Sequence, residues 1–101
     1  MADLTPITSY EPATGALLWE GTTSDVALEI SRVSETAPIW AALPFGQRVE
    51  MVRRFGNQIR NSQEQLADLM SRETGRPLWD TRAEVAAMAA RVDLAVTAAS
   101  E

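Results

Sequence analysis

The carboxylates gathered around one turn are the first candidates for chemistry. Glu73, Asp80 and Glu84 approach one another across Gly75. The chain has neither Cys nor His, so these acids lack the partners that build most transition-metal sites. Acid–base work by a carboxylate pair needs burial to move its pKa, and no apolar surroundings are written around these three. Asp80 and Glu84 lie one helical turn apart with Arg76 and Arg82 close by. A solvated ion-pair face, worth ~0.3–0.5 kcal/mol per pair, accounts for the group better than a metal site. Arg48, Arg53, Arg54 and Arg60 could form a basic strip for phosphate or RNA, but Glu50 and Glu64 dilute it, and a solvated helix face is the simpler reading. Ser24, Ser62 and Thr74 would be nucleophiles only beside a base, and capping or turn roles suit them instead. The five glycines are isolated, so no phosphate-cradling loop is present. The residues therefore assign no catalytic, cofactor-binding or metal-binding group.

The elements that position these side chains follow from periodicity and punctuation. Ile7–Tyr10 and Ala16–Glu20 are β-prone runs around Glu11-Pro12-Ala13-Thr14-Gly15. There Pro presets φ and Gly accepts positive φ, which predicts a hairpin over about 7–20 with a type I turn and a glycine bulge. Met1–Thr5 reads as a frayed end. Ser24 is the expected cap of a first helix over about 25–37, with Asp25 in its first turn and Val26, Ile30, Val33 and Ala37 as its stripe; Pro38 is expected to stop it. Trp40 and Leu43 fall in a connector closed by Pro44. A second helix over about 45–60 carries Phe45, Val49, Val52, Phe55 and Ile59. Ser62-Gln63-Glu64-Gln65 fits a capping box opening a third helix over about 62–74, ended by Gly75. Pro77 opens a fourth over about 77–99, with Val85, Met88, Val92, Val96 and Ala99 on one side.

The predicted fold class is thus mainly α with an N-terminal β-hairpin and about four helical segments. The alanines on several faces of the last helix suit close packing against more than one neighbour. Trp19, Trp40 and Trp79 sit near element ends, where each ring can pack and its N–H stay wet. At 101 residues and net charge −5 there is room for one small domain and no basic face for nucleic acid. No run approaches the ~18 apolar residues of a membrane span and no signal peptide is legible, so a cytoplasmic protein is expected.

In order along the chain, these local signals resemble the NAD(P)-dependent aldehyde dehydrogenase family at its N-terminal end. Glu11-Pro12-Ala13-Thr14-Gly15 is similar to the family's Asn-Pro-Ala-Thr-Gly turn, with Glu11 in place of Asn. Asp25-Val26 looks like the opening of its first helix. Pro38-Ile39-Trp40 and Leu43-Pro44 with Arg48 resemble its Pro-x-Trp and Leu-Pro-x-x-x-Arg connector. Glu73-Thr74-Gly75-Arg76-Pro77 resembles its Glu-Thr-Gly-Lys-Pro turn, with Arg76 in place of Lys. The likeness runs from Ile7 to Ser100. A narrower one, in Leu17–Gly21, Pro77–Met88 and Val92-Asp93, points to the subgroup that oxidises N-succinylglutamate 5-semialdehyde with NAD in bacterial arginine catabolism.

The resemblance implies that residues 1–101 are an N-terminal fragment of such an enzyme. The family's nucleophilic Cys, general-base Glu, oxyanion-hole Asn, coenzyme-binding Lys and Gly-rich turn all lie downstream of the matched stretch. The expectations are therefore no catalytic residue, no cofactor on this chain (NAD belongs to the full-length family), and no activity by the chain alone. Partners are expected to be the rest of an aldehyde dehydrogenase, or a second copy through exposed apolar surface. A truncated interaction module and a non-functional remnant are the alternatives.

Overall fold

The computed structural model describes residues 4–101. It shows a two-stranded antiparallel hairpin followed by four helices: β1 (Pro6–Tyr10), β2 (Leu17–Thr22), α1 (Val26–Ala42), α2 (Phe45–Asn61), α3 (Gln63–Thr74) and α4 (Leu78–Ser100). The hairpin turn forms where the Pro and Gly place it. Gly15 has φ +76°, its N–H donates to the Glu11 carbonyl at 2.7 Å, and the Glu11 N–H donates to the Ala16 carbonyl at 2.8 Å. A second irregularity, not foreseen, follows in the ladder: Ser9 pairs with Trp19 and Tyr10 with Leu17, which leaves Leu18 as an extra residue. The ladder also runs further than expected. Thr5 donates its N–H to the Thr23 hydroxyl at 2.8 Å and accepts the Thr23 N–H at 2.8 Å. Thr5 is therefore pinned rather than frayed, while Met1–Asp3 of the same expected frayed end lie outside the described residues.

Three helix boundaries differ from the expectations, each for a local reason. Asp25, not Ser24, is the N-cap of α1: its carboxylate accepts the Leu28 N–H at 3.2 Å. The helix then passes through Pro38 and ends at Ala42. A proline removes one ladder bond and crowds the carbonyl four residues back, yet continuing the helix carries Trp40 over the start of α2 and the end of α4. The effective stop is Pro44, which forces the preceding Leu43 into extended backbone (φ −68°, ψ 142°). Ser62 makes no side-chain cap, because φ −100° and ψ 11° keep it close to helical geometry whereas a capping hydroxyl needs an extended residue. Its N–H instead donates back to the Gln58 carbonyl at 3.0 Å, so α2 and α3 meet across a single residue.

The core forms along α4. Val85 and Val92 of α4 lie with Ala89 against Ile59 of α2 and Ala67 of α3, and Val52, Leu66, Met70 and Leu78 pack around them. Thr81, Val85, Ala89, Val92 and Val96 are the buried positions of α4, spaced four, four, three and four apart, as one helix face requires. The expected stripe is corrected at Met88, which is exposed; the smaller Ala89 takes the inner position. Gly56 explains how close α2 comes. A Cβ there would lie 3.1 Å from Val92 Cγ1, so glycine lets the backbone of α2 rest on that valine. On α2 the expected stripe is also only partly inward, since Phe45 and Phe55 are exposed and Val52, Gly56 and Ile59 face α4.

The hairpin and α1 lie outside this core. α1 has no buried residue, and Val26, Ile30 and Val33 of its stripe are 71%, 61% and 66% exposed. The radius of gyration is 17.5 Å, against ~13 Å for a compact domain of this length.

Candidate functional site

The turn from α3 to α4 collects more charged side chains than any other stretch of the sequence reading, and its backbone is fixed by several local bonds. Gly75 adopts φ +76° and ψ 6°, and its N–H donates to the Ser71 carbonyl at 2.9 Å, a left-handed helix ending that glycine makes without strain. The Ser71 hydroxyl donates to the Arg76 carbonyl at 2.6 Å and the Thr74 hydroxyl to the Met70 carbonyl at 2.6 Å. Thr74 thus holds the helix end, the role a turn residue would take, and no base stands beside it. Pro77 caps α4 and its carbonyl accepts the N–H groups of Asp80 and Thr81 at 3.1 Å each.

Arg76 is the centre of the charge cluster. Its Nε donates to Asp80 Oδ2 at 2.9 Å and its Nη1 contacts Glu84 Oε2. The hydrogen bond it donates to Asp80, then that to Glu84, hold its pKa above the ordinary arginine value. Both carboxylates are therefore committed to one guanidinium. Glu73, the third acid of the sequence group, turns the other way and accepts the Ser9 hydroxyl at 2.7 Å. Among the described residues, no three His, Cys, Asp or Glu side chains come together to hold a metal ion.

Arg82 does not join this cluster. It reaches Glu64 of α3 with Nε 3.1 Å from Oε1 and Nη2 3.1 Å from Oε2, bracing α3 against α4. Arg72 lies 3.5 Å from Glu11 and 3.8 Å from Asp68. With the Ser9–Glu73 bond, it ties the hairpin to α3. Glu11 therefore serves the turn through its backbone and α3 through its carboxylate.

The arginines of α2 do not act as one strip. Arg54 pairs with Glu50 at 2.8 Å, and Arg60 with Asp93 of α4 at 2.7 Å and with Asn57 at 3.1 Å. Arg48 has no ion pair among the described residues; its guanidinium stands 5.6 Å from the centre of the Phe45 ring. Ser24 and Ser62 stand apart from one another and make no side-chain cap. Sequence reasoning missed two residues that organise this surface, Thr81, whose hydroxyl donates to the Ala67 carbonyl at 2.8 Å from full burial, and Gly56 beneath Val92; it singles out Arg48, but as part of a solvated strip. Neither Thr81 nor Gly56 carries a signal in the sequence, since a threonine and a lone glycine in a helix read as ordinary surface positions.

The charged groups of this turn are thus engaged in ion pairs and hydrogen bonds: Arg76 ties the turn to α4, Arg82 ties α4 to α3, and Arg72 and Glu73 tie α3 to the hairpin. A family model described as "Aldehyde dehydrogenase family" matches residues 2–101. An N-succinylglutamate 5-semialdehyde dehydrogenase of Novosphingobium aromaticivorans is 45% identical over 92 residues, 91% of this chain and 20% of the relative. The protein of the same name from Sphingopyxis alaskensis is 46% identical over 92% of this chain and 19% of its own length. That of Burkholderia thailandensis is 38% identical over 92% of this chain and 20% of its own length. The chain therefore spans about a fifth of the curated relatives it matches. Over that fifth, with essentially all of its residues inside the family match, the chain belongs to the aldehyde dehydrogenase family.

Proposed function

We propose that this chain is the N-terminal segment of an NAD-dependent dehydrogenase that oxidises N-succinylglutamate 5-semialdehyde in arginine catabolism in the cytoplasm, and that its own task is structural. The observation that carries the reading is the shared name of the relatives, which reach 45% identity across 91% of the chain. The architecture supports the structural part. α1 is a 17-residue helix with no buried residue, and an open apolar hollow of about 420 Å³ lies along Arg32, Val33, Thr36, Ala37 and Trp40. Val26, Ile30 and Val33, exposed together along one face of α1, are the kind of apolar stripe that marks a contact surface. On this reading the occupant is the remainder of the enzyme, and the hairpin, α1 and α2–α4 form part of the bed on which its coenzyme-binding portion rests.

The chain supplies no reacting group. Thiolate attack on an aldehyde needs a Cys, and the sequence has none. A strand-to-helix turn rich in glycine, which would hold the coenzyme pyrophosphate, is likewise not written here. NAD would be held, and hydride received, by groups elsewhere in such an enzyme.

A graft tests the reading. Residues of this chain replace the matched 92-residue segment of the Novosphingobium enzyme, and NAD reduction is followed with N-succinylglutamate 5-semialdehyde. Turnover within about tenfold of the parent is expected, ~1.4 kcal/mol of transition-state stabilisation. The 101-residue chain alone is expected to give no NAD reduction. A folded graft without turnover, or turnover by the repurified chain alone, refutes the proposal.

A further inference from the structure

Where the end of α1, the start of α2 and the end of α4 converge, a groove of about 180 Å³ opens between Trp40, Phe45, Arg48, Val52, Val96 and Ala99. Five of these six side chains are apolar and Arg48 is the exception. Its Nε is buried and has no hydrogen-bond partner, and no carboxylate among the described residues lies within ion-pair distance of it; Arg53 and Arg91 also lack an ion pair among the described residues, but both are exposed and neither has a buried unpartnered nitrogen. α2 also begins without an acid in its first turn. A guanidinium flanked by apolar walls and an aromatic face is a costly thing to leave unmatched, because its buried donor has given up water for nothing.

We propose that this groove receives an apolar stretch of the remaining dehydrogenase polypeptide, and that a single carboxylate side chain on that stretch pairs with Arg48. The inference rests on the reading of the chain as a segment of a larger enzyme. The relatives' length supplies the candidate polypeptide, since about four fifths of each lies outside the matched segment. The volume accommodates one or two apolar side chains beside the acid. The fork of N–H groups on Arg48 suits a planar carboxylate, and the apolar walls exclude the water that would screen the pair. A net charge of −5 makes two copies of the chain repel one another, which counts against a second copy as the occupant.

Arg48→Met separates this from a role confined to the chain. In the isolated chain the substitution removes an unmatched donor and keeps the apolar stem, so the midpoint of thermal unfolding should hold or rise slightly. In the graft into the Novosphingobium enzyme it leaves a buried carboxylate without its partner, and the rate of thermal inactivation at fixed temperature should rise about tenfold or more. Arg48→Lys should recover part of that loss, having the charge but not the fork. The opposite signs in the two settings are the expected result. Equal effects in chain and graft, or none in either, overturn the groove proposal while an active graft leaves the functional reading standing. Dimerisation of the isolated chain that Arg48→Met abolishes would make a second copy the occupant and also overturn it. A graft carrying Arg48 that fails to fold overturns both readings.

Discussion

Thr81→Val tests how α3 is held on α4. Thr81 is fully buried and its hydroxyl donates to the Ala67 carbonyl of α3 at 2.8 Å, with the Leu78 carbonyl of its own helix at 3.2 Å. Valine keeps the shape of threonine and replaces that hydroxyl with a methyl group. One neutral hydrogen bond between helices is lost, worth ~1 kcal/mol net. The methyl cannot take the hydroxyl's place at 2.8 Å, because carbon and carbonyl oxygen approach only to ~3.3 Å, so α3 must retreat by about half an ångström over Ala67. Both acceptors are helix carbonyls that retain their ladder bonds, which keeps the cost from growing further. The added apolar burial returns at most ~0.8 kcal/mol. A net loss of about 1–2 kcal/mol is expected, a large part of the ~5 kcal/mol at which native stabilities begin. Urea unfolding followed by far-ultraviolet circular dichroism reads it as a midpoint lower by ~1 M at unchanged slope. Thr81→Ser, which keeps the hydroxyl and loses one methyl, should cost about 1 kcal/mol or less. A Thr81→Val midpoint at or above wild type, with the slope intact, would refute the view that this hydroxyl sets the α3–α4 contact.

Val85→Ala, at a fully buried site in the centre of α4, should cost about 2–3 kcal/mol by the same urea assay, from two lost carbons and the space they leave. Gly56→Val drives a branched side chain into Val92, 3.1 Å from where its Cβ would stand; a loss of at least ~2 kcal/mol is expected from forced separation of α2 and α4. Pro38→Ala restores a missing donor inside α1 and should raise helical ellipticity without lowering the unfolding midpoint of the core, since α1 contributes no buried residue. The isolated chain should bind an apolar-surface dye and self-associate, as its exposed α1 stripe requires; a strictly monomeric species with a sharp melt above ~65 °C would show that it needs no partner.

The parts of this fold that were legible in the sequence are those written in residues with one dominant conformational preference. Pro12 and Gly15 specify the hairpin turn and Gly75 the end of α3, and the structure places positive φ at both glycines. Periodicity located α4, whose buried valines 85, 92 and 96 were all on the expected face. What escaped were positions where a small or polar residue does the packing. Gly56, Ala67 and Ala89 carry little hydropathic weight, yet they let three helices approach closely enough to share a core. Thr81 reads as a surface residue until the carbonyl of Ala67 is seen above it. Pro38 misled because its local cost was weighed without the gain of carrying Trp40 to the α2–α4 junction, and Ser62 misled because a capping pattern presupposes a break that α2 and α3 hardly make. The charged candidates followed the same division. Ion pairing of Arg76 with Asp80 and Glu84 follows from helical spacing, whereas Glu73 with Ser9 and Arg72 with Glu11 depend on where the hairpin lands.

The uneven burial has a consequence for how such a segment is stabilised. α2, α3 and α4 bury one another, but the hairpin is held to them chiefly by one part-buried hydroxyl–carboxylate bond and one ion pair at 3.5 Å, together worth on the order of 2 kcal/mol. A two-stranded hairpin is marginal without a surface beneath it, and α1, whose contact with the other helices is made at its end by Trp40 while Val26, Ile30 and Val33 stay in water, gains little from tertiary packing. Hairpin and α1 can therefore unfold locally at little cost to the α2–α4 core. A body that covered Val26, Ile30 and Val33 would convert that looseness into stability at roughly 1.5–3 kcal/mol for each large side chain fully buried. That gain exceeds what the two polar tethers contribute. The order of α1 and the hairpin thus depends on what lies against them, and a probe of backbone protection such as hydrogen exchange should find these elements fast in the isolated chain and slow in the graft, with α4 protected in both.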